Sequence, residues 1–137
     1  MVHPHETGFG AVFAAWDEAL RRVRTEPPAD LGRLRDLLTP FPSEQREDVL
    51  VDLACEHLTL SWQRGPGRRV EEYLAEFGRD YASFSSPADA PIELIRDEFL
   101  ARHRYFRSEA FPTLADFARR FPDRDDVTED LASRCLD

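Results

Sequence analysis

Apolar residues recur along this chain at intervals of three and four, and no stretch alternates with the period of two that a half-buried strand needs. Val12, Phe13, Trp16, Leu20 and Val23 predict a helix over 9–25, with Arg21, Arg22 and Arg24 suited to its C-terminal end. "TEPPAD" stops it, because proline cannot continue a helix. Leu31, Leu34, Leu37 and Leu38 mark a second short segment, closed by "TPFP". Ser43 is then the natural N-cap of a long helix to about Gln63. That helix carries Val49, Leu50, Leu53 and His57 on one face, with Leu60 or Ser61 continuing it. After "RGPGR" a short helix is expected from Val70 to Phe77, followed by a loop over 78–91. A further helix over 91–107 shows Ile92, Ile95, Phe99 and Phe106. Thr113 and Asp116 have capping-box spacing at the start of another short helix. Asp126 and Glu129 offer the same spacing before Val127, Leu131 and Cys135.

The two short helices read in step. Tyr73 pairs with Phe117 and Phe77 with Phe121, each 44 positions apart, and each helix follows a long one. Their apolar sets are Val70, Tyr73, Leu74, Phe77 and Leu114, Phe117, Ala118, Phe121, which share one face at helical spacing. Helices this short do not persist alone, so docking of the stripe must hold them. The expected fold is all-α: a compact bundle of six to seven helices with a duplicated long-helix/short-helix unit. It would form a single domain over 1–137, divided into a helical pair at 1–42, a first unit at 43–78, a second at 91–122 and a last helix or linker at 123–137.

Composition narrows the function. At 137 residues the chain can bury roughly two thirds of its unfolded surface. A net charge of −9, with acids near every arginine pair, disfavours nucleic acid as a partner. All 18 basic residues are arginine, so Schiff-base, P-loop and kinase-type lysine chemistry has no residue to use. No run approaches a membrane span, and no signal peptide is evident at the N-terminus, so the expectation is a cytoplasmic protein with no membrane partner. Cys55 and Cys135 read as buried helical thiols in a reducing compartment.

Individual candidates for chemistry are sparse. His3 and His5 in "HPHE" lack companion ligands and lie on a terminus expected to fray. His57 falls on an apolar helix face, where a hydrogen-bonded core histidine is expected; Cys55, two residues away, faces elsewhere. His103 sits among Arg102, Arg104 and Arg107, a basic face expected to be solvated. Asp97 and Glu98 lack the Glu-x-x-His spacing of a diiron bundle. "GPG" at 65–67 follows a helix, not a strand, and its proline removes an amide donor, so it is not a phosphate loop. Neither catalytic residues nor a cofactor or metal site is assigned. Tyr105 and Phe106 are adjacent and cannot both face one core, so Arg104, Tyr105, Arg107 and Phe111 are the candidate partner surface.

The run from Asp48 to Asp80, followed by that from Ile92 to Arg124, resembles the helical segment ahead of the catalytic domain in large bacterial serine/threonine protein kinases of the planctomycete type. The matching positions are Trp62, Gly65, Glu72, Tyr73, Leu74 and Phe77, then Leu94, Ile95, Glu98, Phe99 and Arg102, then Pro112, Thr113, Leu114, Phe117, Arg120, Phe121 and Pro122. The chain departs from that pattern at "GPGRRV" and in its serine-rich loop. The catalytic elements of a kinase are absent from these 137 residues. The resemblance implies a non-catalytic regulatory or protein-interaction module whose partner is a linked or separate kinase or another signalling protein. Two other classes stand beside it: a small ligand-binding or enzyme bundle using His57 or core carboxylates, and a transcription-associated helical protein. Oligomeric state is not legible from the sequence.

Overall fold

The computed structural model describes residues 4–105 and 112–135, with side chains from Phe13 onward. Every regular element among them is helical: α1 (Pro4–Thr25), a 3₁₀ helix (Leu31–Leu38), α2 (Ser43–Arg64), α3 (Val70–Phe77), a 3₁₀ turn (Ala82–Phe84), α4 (Ile92–Tyr105), α5 (Leu114–Arg120) and α6 (Asp125–Cys135). The chain divides into two compact units, 1–57 and 58–137, with the division inside α2.

In the first unit α1 begins five residues earlier than the apolar pattern indicated, with Pro4 as its first residue. Proline is tolerated there because its missing N–H would have no intrahelical partner. His5 lies in the first turn of α1, and His3 is outside the described residues. The leucine segment is a 3₁₀ helix, capped by Asp30, whose carboxylate accepts from the Gly32 amide at 3.0 Å. Leu31, Leu34 and Leu38 are buried there, as are Ala19, Val23, Phe41, Val49, Leu50, Leu53 and Ala54. Trp16 meets Phe41 edge-on and donates its indole N–H to Asp52 at 3.0 Å. Ser43 is the first helical residue of α2, and its hydroxyl faces Glu44, so it does not cap an amide as expected.

The second unit is built on Val70, Tyr73, Phe77, Phe84, Leu94, Ile95, Phe99, Phe117, Phe121, Val127 and Leu131, all buried. Leu74 and Leu114 are half-buried, and Ala118 lies at the surface. The loop over 78–91 contains the 3₁₀ turn that periodicity did not reveal, with Phe84 stacked edge-on against Phe77 at 5.8 Å. The α5 cap is the expected one: Thr113 Oγ1 accepts from the Asp116 amide at 3.1 Å, and Asp116 accepts from the Thr113 amide at 3.2 Å. The expected α6 cap is not formed. Asp126 is inside the helix, and its carboxylate takes two hydrogen bonds from Arg124, both 2.9 Å. Arg124 also donates to the carbonyls of Pro87, Ala88 and Ala90, tying the loop to the α5–α6 turn. Within that turn Asp123 takes a φ of 60°, the left-handed region.

Candidate functional site

Of the residues expected to form a partner surface, Arg104 and Tyr105 end α4. Arg104 is exposed, Tyr105 half-buried, and the guanidinium carbon lies 5.5 Å from the ring centre. Arg107 and Phe111 lie outside the described residues, as does Phe106. The basic face once drawn through Arg102 to Arg107 is narrower than expected: Arg102 turns inward, only 12% of its side chain exposed, and packs its guanidinium 5.1 Å from the Trp62 ring centre. His103 is exposed, yet its Nε2 lies 3.0 Å from the Pro112 carbonyl. A carbonyl only accepts, so that nitrogen carries the proton. The ring also rests 4.4 Å from Phe99.

The strongest polar constellation was not singled out from the sequence. Glu98 has no exposed side-chain surface. Its Oε1 accepts from the Val70 amide at 2.8 Å and from Arg120 Nη2 at 2.6 Å. Its Oε2 accepts from Arg102 Nη1 at 3.1 Å and from Arg120 Nη1 at 2.6 Å. Each oxygen thus receives two hydrogen bonds, which fills an ionised carboxylate. Arg120 continues to Glu71, giving 2.7 Å from Nε and 2.5 Å from Nη2, while its guanidinium carbon lies 4.7 and 5.2 Å from the Phe117 and Phe121 ring centres. Two carboxylates and two guanidiniums make the clasp neutral. It joins the start of α3, the middle of α4 and the end of α5.

Electrostatics follow from this geometry. Burial alone would lower the Arg120 value, but hydrogen bonds and charge from Glu71 and Glu98 outweigh it and raise it. Burial would likewise raise Glu71, and Arg120 reverses that, holding the carboxyl below its ordinary value. The signal for Glu98 was present in the sequence: it follows Ile95 by three and Leu94 by four, squarely in the apolar stripe of α4. Arg120 likewise falls between Phe117 and Phe121. Neither stands out by local pattern, because acids and arginines are so common here.

The remaining candidates have structural partners. His57 is buried at 3% exposure, and its Nε2 donates to the Pro28 carbonyl across 2.6 Å. Cys55 is half-buried and Cys135 exposed, so the expected burial of both thiols is not met. Gly67 packs flat on the Trp62 ring, where a Cβ would collide, while Trp62 Nε1 donates to the Arg68 carbonyl at 2.7 Å. "GPG" is therefore a packing turn. In the first unit a cleft of about 640 Å³ opens beside the 3₁₀ helix, lined by Arg21, Arg22 and Arg33 against Glu18, Glu26 and Asp36. Those charges cancel, and no polar group is buried into it. Among the described residues no group of three metal-ligating side chains occurs, and no helix is long and apolar enough to cross a membrane.

Compared with known proteins, the chain matches no family model, no curated protein and no solved structure.

Proposed function

We propose that this chain is a non-catalytic helical module that acts through protein contacts, associated with a bacterial serine/threonine protein kinase signalling system. The duplicated long-plus-short unit belongs to this reading. In its favour, the long helix of each unit donates to the carbonyl two residues ahead of the short one: Trp62 to Arg68 and His103 to Pro112.

One observation carries the proposal. Three of the four charged residues that carry the resemblance (Glu98, Arg102 and Arg120) are consumed in the clasp, with Trp62 packed against Arg102. The end of α4 includes exposed Arg104 beside half-buried Tyr105, residue types that anchor interfaces. The proposal also takes in Arg107 and Phe111, which lie outside the described residues. The ligand-binding alternative, through His57 or core carboxylates, finds less support, because His57 and Glu98 are already hydrogen-bonded within the fold. The test is photo-crosslinking from position 105 in cells of the source organism, with Arg104→Ala as a competitor variant. Adducts containing kinase or other signalling-protein peptides, weakened by Arg104→Ala, support the reading. A chain that forms no protein adduct from that position contradicts it.

A further inference from the structure

The donors around Glu98 form a receptor for a carboxylate that stands apart from the carboxylate filling it. Two guanidiniums and one amide at the start of α3 converge on a single buried group from three different helices. Donors of this kind recognise anions generally: a helix start presents its N–H groups and the positive end of its dipole, and arginine matches a carboxylate with two parallel hydrogen bonds. Arg120 is held in position independently of Glu98, by Glu71 on one edge and by its contacts with the Phe117 and Phe121 rings. Arg102 is held by its contact with Trp62. The receptor should therefore keep its shape when the Glu98 side chain is removed.

We infer that the junction of α3, α4 and α5 is a binding site for a small carboxylate, occupied in the native chain by Glu98 as an intramolecular ligand. The inference concerns chemistry inside the fold and stands or falls separately from the proposed partner contact. Glu98→Ala removes the carboxymethylene group and leaves space for formate or acetate. The vacated donors cannot be left dry without cost, so a free carboxylate that fills them stabilises the folded state by mass action. At ten times its dissociation constant, the folded-to-unfolded ratio rises about 11-fold.

The experiment measures urea unfolding of the full chain as Glu98→Ala, in increasing sodium formate or acetate at constant ionic strength set with chloride. A saturable rise in the midpoint, present with the carboxylates and absent from the native chain, supports the site. Glu98→Gln is the second variant: its amide still fills the space, so it should show no carboxylate-specific rise. Glu98→Ala with Arg120→Met should lose the effect. If Glu98→Ala does not fold in chloride, recovery of the helical circular dichroism signal on adding formate is the readout. The inference is overturned by an equal response to chloride, by the same response in Glu98→Gln, or by no recovery at any carboxylate concentration.

Discussion

α3 and α5 share their length to within a residue, their aromatic spacing and an acid at the third helical position, but their N-termini are held by different means. α5 is capped from within: Thr113 and Asp116 exchange hydrogen bonds between their side chains and each other's amides. α3 has only half of that device. Glu72 accepts from the Arg69 amide at 2.8 Å, but Arg69 at the cap position carries only donors and returns nothing. The Glu72 amide turns instead to the Arg69 carbonyl, and the amide of Val70, the first helical residue, is taken by Glu98 on α4. α5 in turn supplies the arginine that makes a buried Glu98 tolerable. A helix with its own cap can spare a side chain for its neighbours; a helix without one depends on theirs.

Several substitutions would break or sharpen that contrast. The largest effect belongs to Glu98→Ala, which removes the acceptor shared by Arg102, Arg120 and the Val70 amide, at a cost of about 3–5 kcal/mol by urea unfolding. Arg120→Met should follow at about 3 kcal/mol, since Glu98 keeps Arg102 and the amide but loses its bidentate partner. Gly67→Ala should cost about 1–3 kcal/mol, because its Cβ would displace the Trp62 ring and the bond to Arg68. Among the caps, Thr113→Ala should lose about 1 kcal/mol, whereas Arg69→Ala should change stability little. Glycine at Asp123 relieves a left-handed residue and should stabilise by about 0.5–1 kcal/mol, read as a rise in Tm.

Acid should weaken this unit through several carboxylates together. Arg120 lowers Glu71, Arg96 lowers Asp130, and Arg124 lowers Asp126. A carboxyl depressed in the folded state stabilises it fully above the unfolded value. That contribution fades as pH falls through the folded value, here below about 4.5 for Glu71 and about 3.8 for the aspartates. Unfolding followed by circular dichroism should steepen over that acidic range, and Glu71→Gln should flatten the upper part of the slope.

The helices were legible because their apolar spacing is regular, and the Thr113 cap because its two residues are adjacent in sequence and in space. Phe84 was not legible, since the short serine-rich loop that carries it has no sustained period to follow. Arg124 bonds to carbonyls more than 30 residues away, which no local pattern encodes. The Ser43 and Asp126 caps were misplaced because cap-forming residue types also serve inside a first turn. Glu98 and Arg120 were hidden by abundance: in a chain that is 33% charged, an acid four residues before an arginine looks like an exposed helical pair. Their positions among buried apolar residues, Leu94, Ile95 and Phe99 for Glu98 and Phe117 and Phe121 for Arg120, were the overlooked sign, because a charge in an apolar stripe must find its partner inside.

The most direct test of this account is a double-mutant cycle between Glu98 and Arg120, using Glu98→Ala, Arg120→Met and the combined variant in urea unfolding. The clasp predicts strong coupling, with the double variant at least about 2 kcal/mol less destabilised than the sum of the two single changes. Costs that add to within about 0.5 kcal/mol would mean that the two side chains act independently, and that the clasp does not join α4 to α5.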